Sequence, residues 1–286
     1  MSVMSEKKYL LLTTVFVILS IIAGIAYVYF QNPNATDEVS VQQENPITSS
    51  NCSDETLYDF DSLDKALENP AAVCKLNLSK RSLETVLDEV FTLTNLEYLD
   101  LSYNFLTSLP SQTANLTRLK EIILNDNKIE QFPPVLLEMP SLTRIDLSAN
   151  QITEIPIGID QLPALTDLNV SWNSINILPP EIGNLKTLES LELSYNNLSE
   201  LPETIGNLSG LWSLFLGNNK FSRMPAAVGQ LSGLGVLYLS DNQLTSVPEV
   251  LKNMTNLKVL DLLGNQIDQE SINNLKKSLP GTEIAF

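Results

Sequence analysis

The 286 residues include no histidine, only two cysteines (Cys52 and Cys74) and a formal charge of −17. This composition excludes a Ser-His-Asp or Cys-His triad and the usual His or Cys metal sites. An acidic chain also lacks the basic stripe that phosphate contact needs, which excludes nucleic-acid binding. Residues 1–50 hold 2 basic and 4 acidic side chains, so a net charge of −15 belongs to the remainder, where its first effect is on solubility.

In chain order, residues 1–8 form a short tail, and residues 9–30 contain no charged side chain. A helix of that length spans roughly 33 Å, enough to cross the hydrocarbon core of a bilayer. Lys7 and Lys8 precede the stretch, and Asp37 and Glu38 are the first charges beyond it. The positive-inside rule then predicts a signal-anchor with a cytoplasmic N-terminus and everything after Phe30 outside, held by the lipid bilayer. Tyr9, Tyr27, Tyr29 and Phe30 suit interfacial anchoring. Gly24 and Ala26 also fit a small-x-small signal-peptide site, and cleavage near Ala26 would give a secreted protein. The apolar run continues past that point, which favours the anchor. Residues 31–50, rich in Asn, Gln, Ser and Thr with two prolines, cannot bury enough surface to offset their ordering and read as a flexible stalk.

Residues 51–72 are expected to form an N-terminal cap. Leu57, Phe60, Leu63 and Leu67 keep a helical rhythm over 54–68, with Ser62 as an internal cap and Pro70 ending it. A Cys52–Cys74 disulfide would stabilise this cap by about 3 kcal/mol. Two free thiols are the other reading, and an even pair outside the cytoplasm favours the bridge.

From residue 73 to 267 the chain repeats. The frame LxxLxLxxNxLxxLP returns every 23 residues from Leu96 to Leu257. Its asparagine recurs as Asn104, Asn127, Asn150, Asn173, Asn196, Asn219, Asn242 and Asn265, and proline closes seven units from Pro110 to Pro248. One unit earlier, residues 73–78 keep the apolar frame but Arg81 stands where asparagine would, giving one degenerate repeat before eight regular ones. Alternating leucines predict short strands with one buried face. A lone unit cannot bury its leucines, whereas stacked units share a continuous core and a parallel sheet. A buried asparagine, with two donors and an acceptor, would satisfy backbone groups freed at the strand exit and form a ladder. Proline then opens a short helical or extended return arm, and Gly or Asn permits the bend back, as in residues 178–185. Residues 268–286 are expected to close the far end, with a helix over 269–279 and a last strand over 282–286.

These units resemble the 23-residue leucine-rich repeats with an LPxxIxxLxxL return arm, found in bacterial membrane-anchored and surface proteins, plant intracellular Ras-group repeat proteins and animal signalling scaffolds. The resemblance implies an α/β solenoid, a right-handed horseshoe with a concave parallel β-sheet, here with one N-terminal transmembrane helix. It is specific for fold and poor in information about function, because binding rather than one chemistry unites the family.

Nine repeat strands about 4.8 Å apart give a sheet roughly 40 Å across, suited to a protein, peptide or long glycan. The register puts Asp146, Asp167, Glu192, Phe215 and Tyr238 on its open face. Tyr103, Trp172 and Tyr195 sit just before the asparagine, and Trp212 joins them in an expected aromatic and acidic zone over repeats four to seven. The same rings could instead merely stack on one another between strands. Asp100, Asp146 and Glu192 on alternate strands are spaced near the range of an inverting glycosidase. The surface is shallow, however, and nothing in the sequence excludes water or raises one carboxyl's pKa, so no enzyme activity, cofactor or metal is expected. The leading expectation is a membrane-anchored module binding an unknown protein or peptide outside the cytoplasm. The alternatives are an adhesive envelope protein that binds a surface polysaccharide and a signalling scaffold facing the cytoplasm.

Overall fold

A computed structural model of the chain describes Cys52 and residues 59–286. The chain divides into two units, Met1–Pro46 and Ile47–Phe286, and all described residues belong to the second. The expected tail (1–8), membrane-spanning helix (9–30) and stalk (31–50) lie outside the described residues. Among the described residues no helix is long and apolar enough to cross a membrane.

The described residues form one parallel sheet of eleven strands, each paired to its sequence neighbour. A short strand β1 (Asp59–Phe60) precedes helix α1 (Leu63–Glu68). The repeat strands are β2 (Lys75–Asn77), β3 (Tyr98–Asp100), β4 (Glu121–Ile123), β5 (Arg144–Asp146) and β6 (Asp167–Asn169). They continue as β7 (Ser190–Glu192), β8 (Ser213–Phe215), β9 (Val236–Tyr238) and β10 (Val259–Asp261). Helix α2 (Gln269–Ser278) and strand β11 (Glu283–Ala285) close the far end where the sequence predicts them. The near end departs from expectation. Of the helix expected over 54–68, residues 54–58 lie outside the described residues; from Asp59 on, β1 extends the sheet by pairing Asp59 with Lys75, and α1 starts only after Ser62. Ser62 occupies the N-cap position without a side-chain cap bond. The Cys52–Cys74 disulfide forms, with Cα atoms 5.8 Å apart.

Each strand turns one leucine-type side chain inward. Leu99, Ile122, Ile145, Leu168, Leu191, Leu214, Leu237 and Leu260 are buried in one continuous core that runs from Ala66 to Leu279. Removing such a side chain from water stabilises the fold by roughly 1.5–3 kcal/mol. The asparagines bind consecutive repeats together. Asn196 donates to the carbonyls of Leu193 in its own repeat and Val170 in the one before, both at 3.0 Å, and accepts the Ile175 N–H at 2.9 Å. The same three bonds recur from Asn127 to Asn265. At the degenerate repeat, where Arg81 replaces the asparagine, the Arg81 and Leu83 N–H groups both donate to Asn104 Oδ1 at 3.0 Å.

The return arms after β2 to β9 are five-residue 3₁₀ turns; the first opens at Leu87 and the other seven at the repeat's proline. The proline carbonyl accepts the N–H three residues on, for example Ile182 to Pro179 at 3.1 Å. Thr113 takes the buried apolar place of one arm and satisfies its hydroxyl on the Pro110 carbonyl at 2.7 Å. Gly183 does not supply the bend expected of it. It lies inside the turn, where a Cβ would stand 2.2 Å from the Thr204 carbonyl oxygen, so its role is the close approach of neighbouring arms.

These bonds generate two stability predictions. Asn196→Ala strands the Ile175 N–H and the Val170 and Leu193 carbonyls, and should lower the unfolding free energy by about 2–4 kcal/mol in urea denaturation. A loss below about 1 kcal/mol would show that water replaces the amide without penalty. Cys52→Ser should cost about 3 kcal/mol. Hydrogen exchange should place that loss at β1 and β2, and uniform acceleration across the solenoid would contradict the assignment.

Candidate interaction surface

Unshifted parallel pairing sets residues 23 apart side by side, so the open face of the sheet is organised in columns. The central column runs Asn77, Asp100, Ile123, Asp146, Asn169, Glu192, Phe215, Tyr238, Asp261 from β2 to β10. Most of its polar members have a local task. Leu101 and Tyr103 donate their N–H groups to the next strand, which leaves the intervening Ser102 N–H without a strand partner. Asp100 Oδ1 accepts it at 2.9 Å, together with the Ser102 hydroxyl at 2.6 Å. Asp146 and Asn169 hold Ser148 and Ser171 in the same way. Glu192 accepts the Ser194 N–H at 2.8 Å. The sequence signal for this brace, Asp or Asn followed two places later by Ser, is visible once its cause is known. Ile123, Phe215 and Tyr238 cannot act so, and Phe215 and Tyr238 make the apolar interruption of the column.

The predicted residues fall into three places. On the face, Phe215 and Tyr238 pair with ring centroids 5.1 Å apart and planes inclined by 35°. Glu192 lies in register with Phe215, and Asn169 beyond it reaches Asp146 at 3.3 Å. Asp167, in register with Arg144, accepts the Thr166 hydroxyl at 2.7 Å. At the strand-exit edge, Trp172 and Tyr195 stack at 3.6 Å and 11°, so part of the expected ring-on-ring packing is real. Tyr103 belongs to this edge but stands three repeats before Trp172, with the Lys80 ammonium 5.0 Å over its ring. Trp212 lies at the opposite, strand-entry edge, one residue before β8, and its ring is seated over Gly235. A Cβ on Gly235 would approach that ring to 2.3 Å. Trp212 therefore does not join the other aromatics in one zone, and Gly235 is a supporting residue that sequence reasoning misses.

Burial raises the Glu192 carboxyl from the ordinary 4.5 to about 7, against the lowering effect of its Ser194 hydrogen bonds and with a smaller push from Asp146. This corrects the expectation that no carboxyl on the face is perturbed. Burial, with Asp261 and Glu283 nearby, also raises the Tyr238 phenol. Among the described residues there is no cluster of metal-ligating side chains. Clefts of about 440 Å³, at Val86, Leu87 and Pro110, and about 420 Å³, at Met224, Pro248 and Asn274, involve none of the predicted site residues.

A stack of 23-residue strand–turn units around an asparagine ladder, open on one sheet face, defines a leucine-rich repeat solenoid. Models of the leucine-rich repeat region, the leucine rich repeat and the two-copy leucine rich repeats match residues 159–282, 117–175 and 94–136. The chain belongs to the leucine-rich repeat proteins. The domains of this family are in general protein-interaction modules and typically non-enzymatic.

Among solved structures, an internalin (InlF) from Listeria monocytogenes is 30% identical with a TM-score of 0.67, over 77% of this chain and 62% of that one. The present chain thus spans less than two thirds of that internalin. The plant peptide hormone receptor RGFR1, solved in complex with RGF2, is 30% identical with a TM-score of 0.62, over 74% of this chain and 35% of the receptor chain. The ectodomain of the Arabidopsis thaliana membrane receptor kinase GASSHO1/SCHENGEN3, solved with CASPARIAN STRIP INTEGRITY FACTOR 2, is 27% identical with a TM-score of 0.59, over 71% and 29%. The chain matches no curated protein.

Because the folded pKa of Glu192 lies above its ordinary value, the folded state holds this proton more firmly than the unfolded chain between about 4.5 and about 7. Its contribution is greatest at the acid end and is lost as pH rises through that window, by at most about 1.4 kcal/mol per pH unit. Glu192→Gln should therefore become more stable relative to the parent as pH increases, read from urea midpoints across the window. Parallel curves for parent and variant would contradict the burial argument.

Proposed function

We propose that this chain is a membrane-anchored module that holds an extended segment of a protein partner on the concave face of its sheet, outside the cytoplasm, centred on β7–β9. The observation that carries the reading is the Phe215–Tyr238 pair, two half-buried rings on an open sheet face beside the burial-perturbed Glu192. Aromatic side chains offer a large contact area at small entropic cost, and a partner that covers them gains most of its affinity there. The extended sheet supports a long ligand. Two structural relatives are plant receptors solved with RGF2 and CASPARIAN STRIP INTEGRITY FACTOR 2. Support for the topology comes from the uncharged stretch 9–30 behind Lys7 and Lys8, and from the Cys52–Cys74 disulfide, which suits an oxidising compartment.

Crosslinking on intact cells followed by affinity capture tests both halves. Parent chain should retain a protein partner, and Phe215→Ala/Tyr238→Ala should reduce capture at least about tenfold. The same variant should shift the unfolding free energy by only about 1–3 kcal/mol, because both rings are only partly buried. Undiminished capture, or capture of a polysaccharide alone, would overturn the assignment. External protease should cleave the repeats on intact cells, and full protection there would refute the topology.

A further inference from the structure

The residue before each ladder asparagine forms a column along the strand-exit edge, about 4.8 Å per step. Every member has left-handed backbone, with φ near 50–57° for the non-glycine residues Tyr103 to Asp241. Neighbours in this column repeatedly complement one another. Lys80 sits over Tyr103, Trp172 stacks on Tyr195, and Asn218 donates to Asp241 at 3.4 Å. At Ala149 the column offers only a methyl group.

The two sides of that gap are unlike and both open. On one side is the outer face of Trp172, whose other face is covered by Tyr195 and which remains 57% exposed. On the other is Asp126. One of its carboxylate oxygens accepts from the Asn125 amide at 2.8 Å, and the other has no hydrogen-bond partner among the described residues. Asp126 and Trp172 are two steps apart, about 9–10 Å, which leaves room for one planar layer with a contact on each side. An indole face and a carboxylate both attract a cation. The fold already seats cations on aromatic rings nearby, at Lys80 over Tyr103 and at Lys128 over Phe105, 4.6 Å from the centroid. A guanidinium suits the gap better than an ammonium, because it is flat enough to stack on the indole while an N–H edge reaches the carboxylate.

We propose that the Ala149 gap, between the open face of Trp172 and the carboxylate of Asp126, is a subsite for an arginine side chain of the protein partner. This deepens the proposed function and rests on its reading that the partner is a protein. The arginine anchors one flank of the bound segment at the strand-exit edge while the central column holds its middle.

The test uses full-length chain in detergent carrying Trp212→Phe, so that Trp172 is the sole tryptophan reporter. The probe is a glycine–serine hexapeptide with one arginine, compared with its lysine and citrulline counterparts. A saturable change in Trp172 fluorescence is expected for the arginine peptide. Binding should be at least about tenfold weaker for lysine and for citrulline, which is planar but uncharged. Asp126→Asn should weaken the arginine response by a similar factor. Ala149→Tyr should abolish it by filling the gap, and the backbone there accepts tyrosine, since Tyr103 and Tyr195 occupy the equivalent place at φ 54° and 57°. An unchanged response in either variant, equal binding of lysine, or saturation by a methyl glycoside in place of the arginine peptide would overturn the proposal. Partner capture separates the two levels. If only Phe215→Ala/Tyr238→Ala loses the partner and the arginine peptide never saturates, this subsite falls and the interaction module stands. If capture survives all variants, the functional reading falls as well.

Discussion

The amide of the ladder asparagine makes the bonds on which the rest of the molecule depends. Where the chain leaves each short strand, carbonyl and N–H groups of two consecutive repeats turn inward, away from water. One asparagine meets them with two donors and one acceptor, as Asn196 does for Leu193, Val170 and Ile175. Aspartate lacks the donors and leucine lacks both, so no other side chain of similar size closes the set. The same bonds fix the phase. Their partners lie 3, 26 and 21 residues back, so each asparagine ties its own strand exit to the equivalent point one 23-residue unit earlier. Leucine stacking, strand register and the left-handed residue at the strand exit depend on that spacing.

Such a scaffold separates what folds from what faces outward. The core and ladder use inward positions, leaving the columns of the sheet free to carry a pattern. In this chain the pattern changes along the sheet: acidic and amide side chains brace β2, β3, β5, β6 and β7 locally, with Ile123 interposed on β4, and Phe215 and Tyr238 take over on β8 and β9. Glu192 stands at the junction of the two regimes, which is why burial there reaches a carboxyl.

Most of the fold is legible from the sequence because a period of 23 repeated eight times overrides any local ambiguity. Residues alone place Asn104 to Asn265, the strands between them and helix α2. They do not place strand β1, since two residues carry no period and Phe60 also fits a helical rhythm. The role of Gly183 is hidden from the sequence because its contact is with Thr204, on another turn. The interaction surface is only half legible. Spacing sets Trp212 beside Leu211 at the start of the frame and Trp172 and Tyr195 beside the asparagine at its end, but it does not show that the strand between keeps these rings on opposite edges of the sheet. The charge state of Glu192 depends on burial, a quantity no single repeat contains.

The left-handed residues at the strand exit also bear on how such a solenoid can change. Lysine, tyrosine, aspartate, alanine, tryptophan, asparagine and glycine all occupy that place with φ between 50° and 70°. The bonds on either side hold this backbone conformation for seven residue types, while at Gly264 a Cβ would stand 2.1 Å from Asp241 Oδ1. Because side chains as unlike as alanine, aspartate and tryptophan stand at equivalent points of one backbone, the edge of the solenoid can differ in chemistry from repeat to repeat while the architecture stays the same.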